Sequence, residues 1–254
     1  VKLLVTRPAA QAEEWVARLA AAGLDAEALP LIDIAPAPDP AAVEAAWAGL
    51  AREALVVFVS ANAVDAFFGA GGHAWPPAVL AGSTGPGTTR ALLAHGVDVA
   101  VIVEPPADAP QFDSEALWAR LQPMAWEGRR VLVVRGNGGR EWLGDRLREA
   151  GAAVQQLTAY QRLPPRWTRQ QHGLLQQALA HPAAHLWLFS SSEAIDQLEA
   201  LAPGHDWSGG VAVATHPRIA QRAGRLGLGR VLACAAGFDT LVACIQSLPE
   251  PTPP

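Results

Sequence analysis

The chain has one tyrosine, one methionine and two cysteines in 254 residues. Each scarcity excludes something. Cys234 and Cys244 stand ten residues apart with no partnering His or Cys cluster, so they are no metal site, and two thiols make no disulfide framework. The seven histidines are dispersed and join no Cys or His cluster, which leaves them cap and surface roles. The 19 basic residues, nearly all Arg, are scattered rather than run together, and the net charge is −5. That argues against nucleic acid as a partner. No apolar run approaches the roughly 20 residues that cross a bilayer, so no membrane partner is expected. Val1-Lys2-Leu3-Leu4-Val5 reads as a strand with no basic and apolar leader ahead of it, so the expected compartment is the cytoplasm. The Pro-rich stretch Pro249–Pro254 is expected to be disordered.

The familiar catalytic signatures are missing too. Gly82-Ser-Thr-Gly-Pro-Gly87 has the wrong glycine spacing for a dinucleotide fingerprint, and Arg135-Gly136-Asn-Gly138 lacks its third glycine. There is no Gly-Lys-Ser/Thr phosphate loop, no Gly-x-Ser-x-Gly elbow and no His-Glu-x-x-His. These absences weaken the oxidoreductase, kinase, hydrolase and metalloenzyme readings alike.

What is present is a regular alternation. Val1–Val5, Val56–Val59, Val79–Ala81, Val99–Val103, Val131–Val134, Leu186–Phe189, Val211–Ala214 and Val231–Cys234 read as short buried strands. Between them apolar residues recur at helical spacing, as in Trp15, Val16, Leu19 and in Trp142, Leu143, Leu147. The fold class is α/β, with parallel sheets and crossover helices. The two halves also match each other. Glu14-Trp15, Leu19, Gly23 and Leu29 recur as Glu141-Trp142, Leu147, Gly151 and Leu157. Phe58-Val-Ser60-Ala-Asn62-Ala-Val64-Asp65 recurs as Phe189-Ser-Ser191-Ser-Glu193-Ala-Ile195-Asp196, and Gly96 as Gly227. A repeat of this length is a duplicated α/β unit, too long for a solenoid.

Two Pro-rich connectors interrupt the pattern, Leu31 to Pro40 and Tyr160 to Arg166. They leave two organisations open. In one, residues 1–35 and 166–254 form a discontinuous domain around an inserted domain of 40–160, with 36–39 and 161–165 as connectors and a cleft between two lobes. In the other, two sequential domains meet near residue 128.

Ligands of parallel α/β sheets bind beyond the carboxyl ends of strands. Those positions hold Thr6-Arg7-Pro8, Ser60-Ala-Asn62, Gly82 to Thr89, Arg135-Gly136, Ser190-Ser191-Ser192 and Thr215-His216-Pro217. Each can be an ordinary helix N-cap. Together, several helix N-termini facing one cleft would suit a ligand with many carboxylates. Tyr160 also has two readings: a connector aromatic that packs its ring, or a phenol, protonated at neutral pH, that donates to a leaving oxygen. Of the nine tryptophans none is assigned to function; Trp15 and Trp142, at equivalent places in the repeat, are read as packing residues, and Trp47 and Trp118 also stand at helical apolar positions.

Val5-Thr6-Arg7-Pro8, Phe58-Val-Ser60-Ala-Asn62, Asp113-Ser114-Glu115-Ala-Leu117, Arg135-Gly136 before a helix, Leu157-Thr158-Ala159-Tyr160 and Phe189-Ser190-Ser191 occur in one order along residues 1 to about 248. That ordered set resembles the uroporphyrinogen-III synthase family. The resemblance implies two similar α/β lobes joined by a two-stranded connector, the first lobe discontinuous. It implies that linear hydroxymethylbilane, a small-molecule tetrapyrrole, loses water and closes through a spiro intermediate with ring D inverted. It implies no metal or organic cofactor, and Tyr160 as the group assisting loss of the hydroxyl. Arg7, Ser60, Asn62, Ser114, Arg135, Gly136, Ser190, Ser191 and Thr215 carry over as substrate contacts. A monomer is expected, since no amphipathic dimer stripe stands out. The competing reading is a two-lobed small-molecule binding protein without catalysis.

Overall fold

The computed structural model describes residues 1–71, 74–235 and 237–248. The stretch expected to be disordered, Pro249–Pro254, lies outside them. The first half of the chain runs β1 (Lys2–Val5), α1 (Ala9–Ala21), β2 (Ala26–Ala28), β3 (Asp33–Pro36), α2 (Pro40–Gly49), β4 (Leu55–Phe58), α3 (Ala61–Gly71), β5 (Leu80–Ser83), α4 (Pro86–Ala94), β6 (Ile102–Val103) and α5 (Ser114–Leu121). The second runs β7 (Arg130–Gly136), α6 (Trp142–Glu149), β8 (Ala153–Leu163), α7 (Arg169–Ala180), β9 (His185–Phe189), α8 (Ser192–Leu201), β10 (Val211–Ala214), α9 (Pro217–Leu226), β11 (Arg230–Ala233) and α10 (Phe238–Gln246). No helix of the described residues is long and apolar enough to cross a membrane.

The chain divides into two units. One is Val1–Asp33 with the chain from Leu163 onward, and the other is Ile34–Arg162. The first holds a five-stranded sheet in the order β11-β10-β9-β1-β2, and the second a six-stranded sheet in the order β3-β8-β7-β4-β5-β6. The orders are the same once β6, β5, β4, β7 and β8 are set against β11, β10, β9, β1 and β2, with β3 added at the edge. Those five strands pair in parallel in each unit. The internal duplication is thus visible in the strand order. It is visible in the turns as well: Gly23, Gly96, Gly151 and Gly227 stand at or just past the ends of α1, α4, α6 and α9, with φ of 78°, 81°, 93° and 102°. Glycine takes this left-handed conformation at little cost, which ends a helix cleanly.

Alternation builds the cores. In the second unit β4 is buried on both faces. Leu55 and Val57 pack with Val131, Val133, Leu143 and Leu147, whereas Val56 and Phe58 pack with Leu132, Val134, Phe67 and Trp47. In the first unit Leu3, Val5, Leu186, Leu188 and Val213 meet Trp15, Leu19 and Leu241. Trp15 and Trp47 are therefore packing residues, as their helical spacing indicates.

Two expectations need correction. Val99–Val103 is not one strand: Val99–Val101 is a 3-10 turn, capped by the Asp98 carboxylate, which accepts the Ala100 N–H at 2.9 Å. Within the second Pro-rich connector, residues 160–163 are the end of the eleven-residue β8. The two cysteines are not separate thiols: Cys234, just after β11, and Cys244, in α10, form a disulfide. The chain reverses between β11 and α10 and brings their Cα atoms to 6.7 Å, inside bonding range. Spacing alone does not reveal that reversal.

Candidate active site

In the second unit β4 ends at Phe58, opposite Val134, and β7 runs two residues further, to Gly136. Past β4 the chain enters α3, and Ser60 caps it by accepting the Ala63 N–H at 3.2 Å. Asn62 lies in the first turn of α3. Beside β7, β8 carries a bulge. Arg135 is paired with Thr158 and Gly136 with Tyr160, so Ala159 is the extra residue. In a regular strand Ala159 and Tyr160 would point to opposite faces. The bulge turns both, with Leu157, onto the same core. Tyr160 is only 3 % exposed. Its Oη lies 3.1 Å from Ser60 Oγ. Its ring lies over Gly136, where a Cβ would come within 2.7 Å of Cζ. Glycine is needed there for space. Ser60 Oγ already accepts one N–H. When its own hydroxyl donates to Tyr160, the phenol proton is left to point at a ligand.

A cavity of about 130 Å³ opens at this end of the sheet, its lining including Ser114, Arg135, Gly136, Arg140, Glu141, Gln156, Tyr160 and Arg162. Arg135 is buried; it donates to Gln156 Oε1 at 2.8 Å and to the Gly138 carbonyl. Asn137 pins the loop after β7 to β8, accepting the Arg162 N–H at 2.6 Å while its own carbonyl accepts from Arg162 Nη2 at 2.9 Å. Arg140 makes a two-pronged pair with Glu115 at 2.5 and 2.9 Å. That hydrogen bond raises the Arg140 pKa further above its ordinary value. Ser114 does not cap α5; Asp113 does, accepting the Ala116 N–H at 2.9 Å.

The first unit has its own set. Arg7 follows β1 and places its guanidinium 4.2 Å from the Trp15 ring centre. Ser190 and Ser191 follow β9, and Ser191 caps α8 by accepting the Glu193 N–H at 3.2 Å. Thr215 follows β10, is buried, and donates its N–H to the Phe189 carbonyl at 3.0 Å. The cap of α9 is His216, whose Nδ1 accepts the Arg218 N–H at 3.0 Å. The ladders also relate the units. Val5 pairs with Leu188 and Val133 with Val57, so Arg7 and Arg135 occupy corresponding places two residues on.

The predicted residues thus form two groups. Ser114, Arg135, Gly136 and Tyr160 line the cavity and Ser60 touches Tyr160, whereas Asn62 does not line it. Arg7, Ser190, Ser191 and Thr215 belong to the other unit. Among the described residues no group of three or more His, Cys, Asp or Glu could hold a metal ion.

A family profile described as Uroporphyrinogen-III synthase HemD matches residues 13–243. The chain belongs to the uroporphyrinogen-III synthase family. Among curated relatives, the uroporphyrinogen-III synthase of Escherichia coli strain K12 is 32 % identical over 80 % of both chains. That of Synechococcus elongatus is 32 % identical over 84 % of this chain and 81 % of its own. Among solved structures, uroporphyrinogen-III synthetase from Helicobacter pylori has a TM-score of 0.63 at 15 % identity, over 98 % of this chain and 99 % of that one. A mutant uroporphyrinogen III synthase from the extremely thermophilic bacterium Thermus thermophilus has a TM-score of 0.61 at 16 % identity, over 97 % of each. At such identities the structures establish the fold. Sequence reasoning about this synthase-family chain missed Arg140, Gln156 and Arg162 as cavity residues. The signal for Arg140 was the short Gly-Gly-Arg run after β7; for Gln156 and Arg162 it was a strand that the polar residues of β8 concealed.

Proposed function

We propose that this chain converts linear hydroxymethylbilane to uroporphyrinogen III and water, with ring D inverted. The observation that carries this reading is the family match over residues 13–243. In the proposed mechanism Tyr160 Oη gives its proton to the ring A hydroxymethyl oxygen as the C–O bond breaks and water leaves. The azafulvene cation that results is attacked by the substituted α-carbon of ring D, giving the spiro intermediate. Fragmentation and reclosure at the other α-carbon follow, and the proton lost as the pyrrole regains its aromaticity restores the phenol. The substrate also cyclises unaided to the uninverted isomer, so the enzyme's task is chiefly to hold a productive geometry. Ser60 orients the phenol. Arg7, Asn62, Ser114, Arg135, Gly136, Ser190, Ser191 and Thr215 are proposed as the positions that meet the substrate. The same reading has the enzyme act in the cytoplasm as a monomer, without cofactor, nucleic acid or membrane. Sedimentation at a single mass near 26.6 kDa would support the monomer, and a doubled mass would refute it.

Freshly made hydroxymethylbilane, followed by separation of type I and type III products, tests the reaction. Type III product at a rate above the spontaneous one is expected. Type I alone at the spontaneous rate refutes it. Tyr160→Phe should lower kcat about 100-fold, the range of a lost general acid, with little change in KM. Turnover should persist, because leaving-group activation is only one part of the barrier. Unchanged kcat would remove the acid role and leave the reaction standing.

A further inference from the structure

The cavity in the second unit contains an unusual charge arrangement. Arg135, Arg140 and Arg162 line it against one acid, Glu141, in a chain whose net charge is −5. Arg140 is already neutralised by Glu115. Arg135 is not comparably neutralised. Its side chain is 9 % exposed, and its hydrogen bonds go to neutral acceptors, the Gln156 side chain and the Gly138 carbonyl. The carboxylate within 4 Å of it is Glu141, at 3.9 Å and 62 % exposed. A buried cation without a close anion is costly unless something supplies the counter-charge. Only two of the five guanidinium N–H groups are used in those bonds, and the guanidinium fork matches a carboxylate.

The surroundings are built around this group. Gly138 and Gly139 have φ of 74° and 95°, folding the loop back so that the Gly138 carbonyl meets Arg135. A Cβ on Gly139 would come 3.0 Å from Arg135 Nη2. Ser114 and Gly144 bring the first turns of α5 and α6 to the cavity wall, so two positive helix ends add to the arginines. Tyr160 lines the same cavity.

We infer that this cavity is a carboxylate site, in which Arg135 holds an acid side arm of the same pyrrole ring that presents its hydroxyl to Tyr160. The inference rests on the proposed function for the identity of the ligand, but not for its chemical class. Propionate serves as the probe, with chloride at equal ionic strength as control. At about 100 mM propionate the wild-type melting temperature should rise about 2 °C above the chloride value, as expected when a weak ligand binds the native state. The rise should vanish in Arg135→Gln and persist in part in Arg135→Lys. With hydroxymethylbilane, Arg135→Gln should raise KM about tenfold and leave kcat within about twofold, the mark of lost uniform binding. A lost loop bond alone would not remove a propionate-specific shift. Equal wild-type melting in propionate and chloride overturns the site, and that measurement stands even if Arg135→Gln fails to fold. A propionate shift in a protein that makes no type III product would support the site and refute the proposed reaction, so the two failures are distinct.

Discussion

One missing methyl group sets the position of the phenol. At Gly136 a Cβ would lie 2.7 Å from Tyr160 Cζ, 2.8 Å from Cε2 and 3.1 Å from Oη. The ring is enclosed and has little room to retreat, since Leu157 and Ala159 share its core. Gly136→Ala should therefore cost about 1–3 kcal/mol of stability, the range for overpacking, and should lower kcat by moving Oη away from Ser60. In a Tyr160→Ala background the same substitution should cost less than about 0.5 kcal/mol, because the clash has lost its partner. Denaturant melts of the four proteins measure this cycle, and additive costs would mean that the Cβ meets some other group. Both residues were identifiable in the sequence, Gly136 by following a strand and Tyr160 by being the sole tyrosine. Their contact was not, because a pair 24 positions apart meets only through a strand ladder that is itself hidden in the composition.

That ladder belongs to the scale of elements. Buried strands such as Leu55-Val-Val-Phe58 declare themselves, because both faces are apolar. β8 does not, as Gln155, Gln156, Thr158, Gln161 and Arg162 dilute its apolar face. Its bulge defeats a period-two reading in any case: Tyr160 falls one residue out of phase with Leu157 and Ala159 yet shares their side. β2 is only Ala26-Glu27-Ala28, too short and too poor in branched residues to be read. Helix starts are more readable in kind than in place. Hydroxyl residues do stand after the strands, but the cap of α9 is His216 rather than Thr215, and α5 is capped by Asp113, which stood outside the candidate positions. Asp113 gives this a measurable consequence. Its carboxylate satisfies the Ala116 N–H, and Glu115, one turn of the same helix, pairs with Arg140 beside the cavity. Asp113→Ala should cost about 1 kcal/mol. That should lower the melting temperature by about 2–4 °C in a chain of this size. Asp113→Asn should recover most of it, and equal losses for the two variants would assign Asp113's effect to its charge rather than its cap.

For the whole molecule, the sequence repeat and the folded unit are different pieces of chain. One repeat runs β1 to α5 and the next β7 to α10, but neither has a sheet of its own. β1 and β2 of the first repeat complete the order begun by β9, β10 and β11 of the second, and β7 and β8 of the second complete the order begun by β4, β5 and β6 of the first. The two repeats exchange their opening βαβ segments. Motif offsets reveal the duplication but not the exchange, since pairing partners are absent from a linear comparison. The exchange makes a sharp prediction about fragments. Residues 34–162 contain every strand of the six-stranded sheet, short only of the first residue of β3 and the last of β8, together with the Phe58–Phe67 and Leu117–Leu147 cores. Expressed alone, this fragment should fold, with a cooperative melt and dispersed amide resonances. Residues 1–127 are nearly the same length and match the sequence repeat. They lack β7, whose Val131–Val134 are buried against β4 on both faces, and they carry β1 without β9. That fragment should stay unfolded or aggregate through its open strand edge. A cooperative fold for 1–127 and none for 34–162 would mean that the repeat, not the exchanged unit, is what this chain folds by.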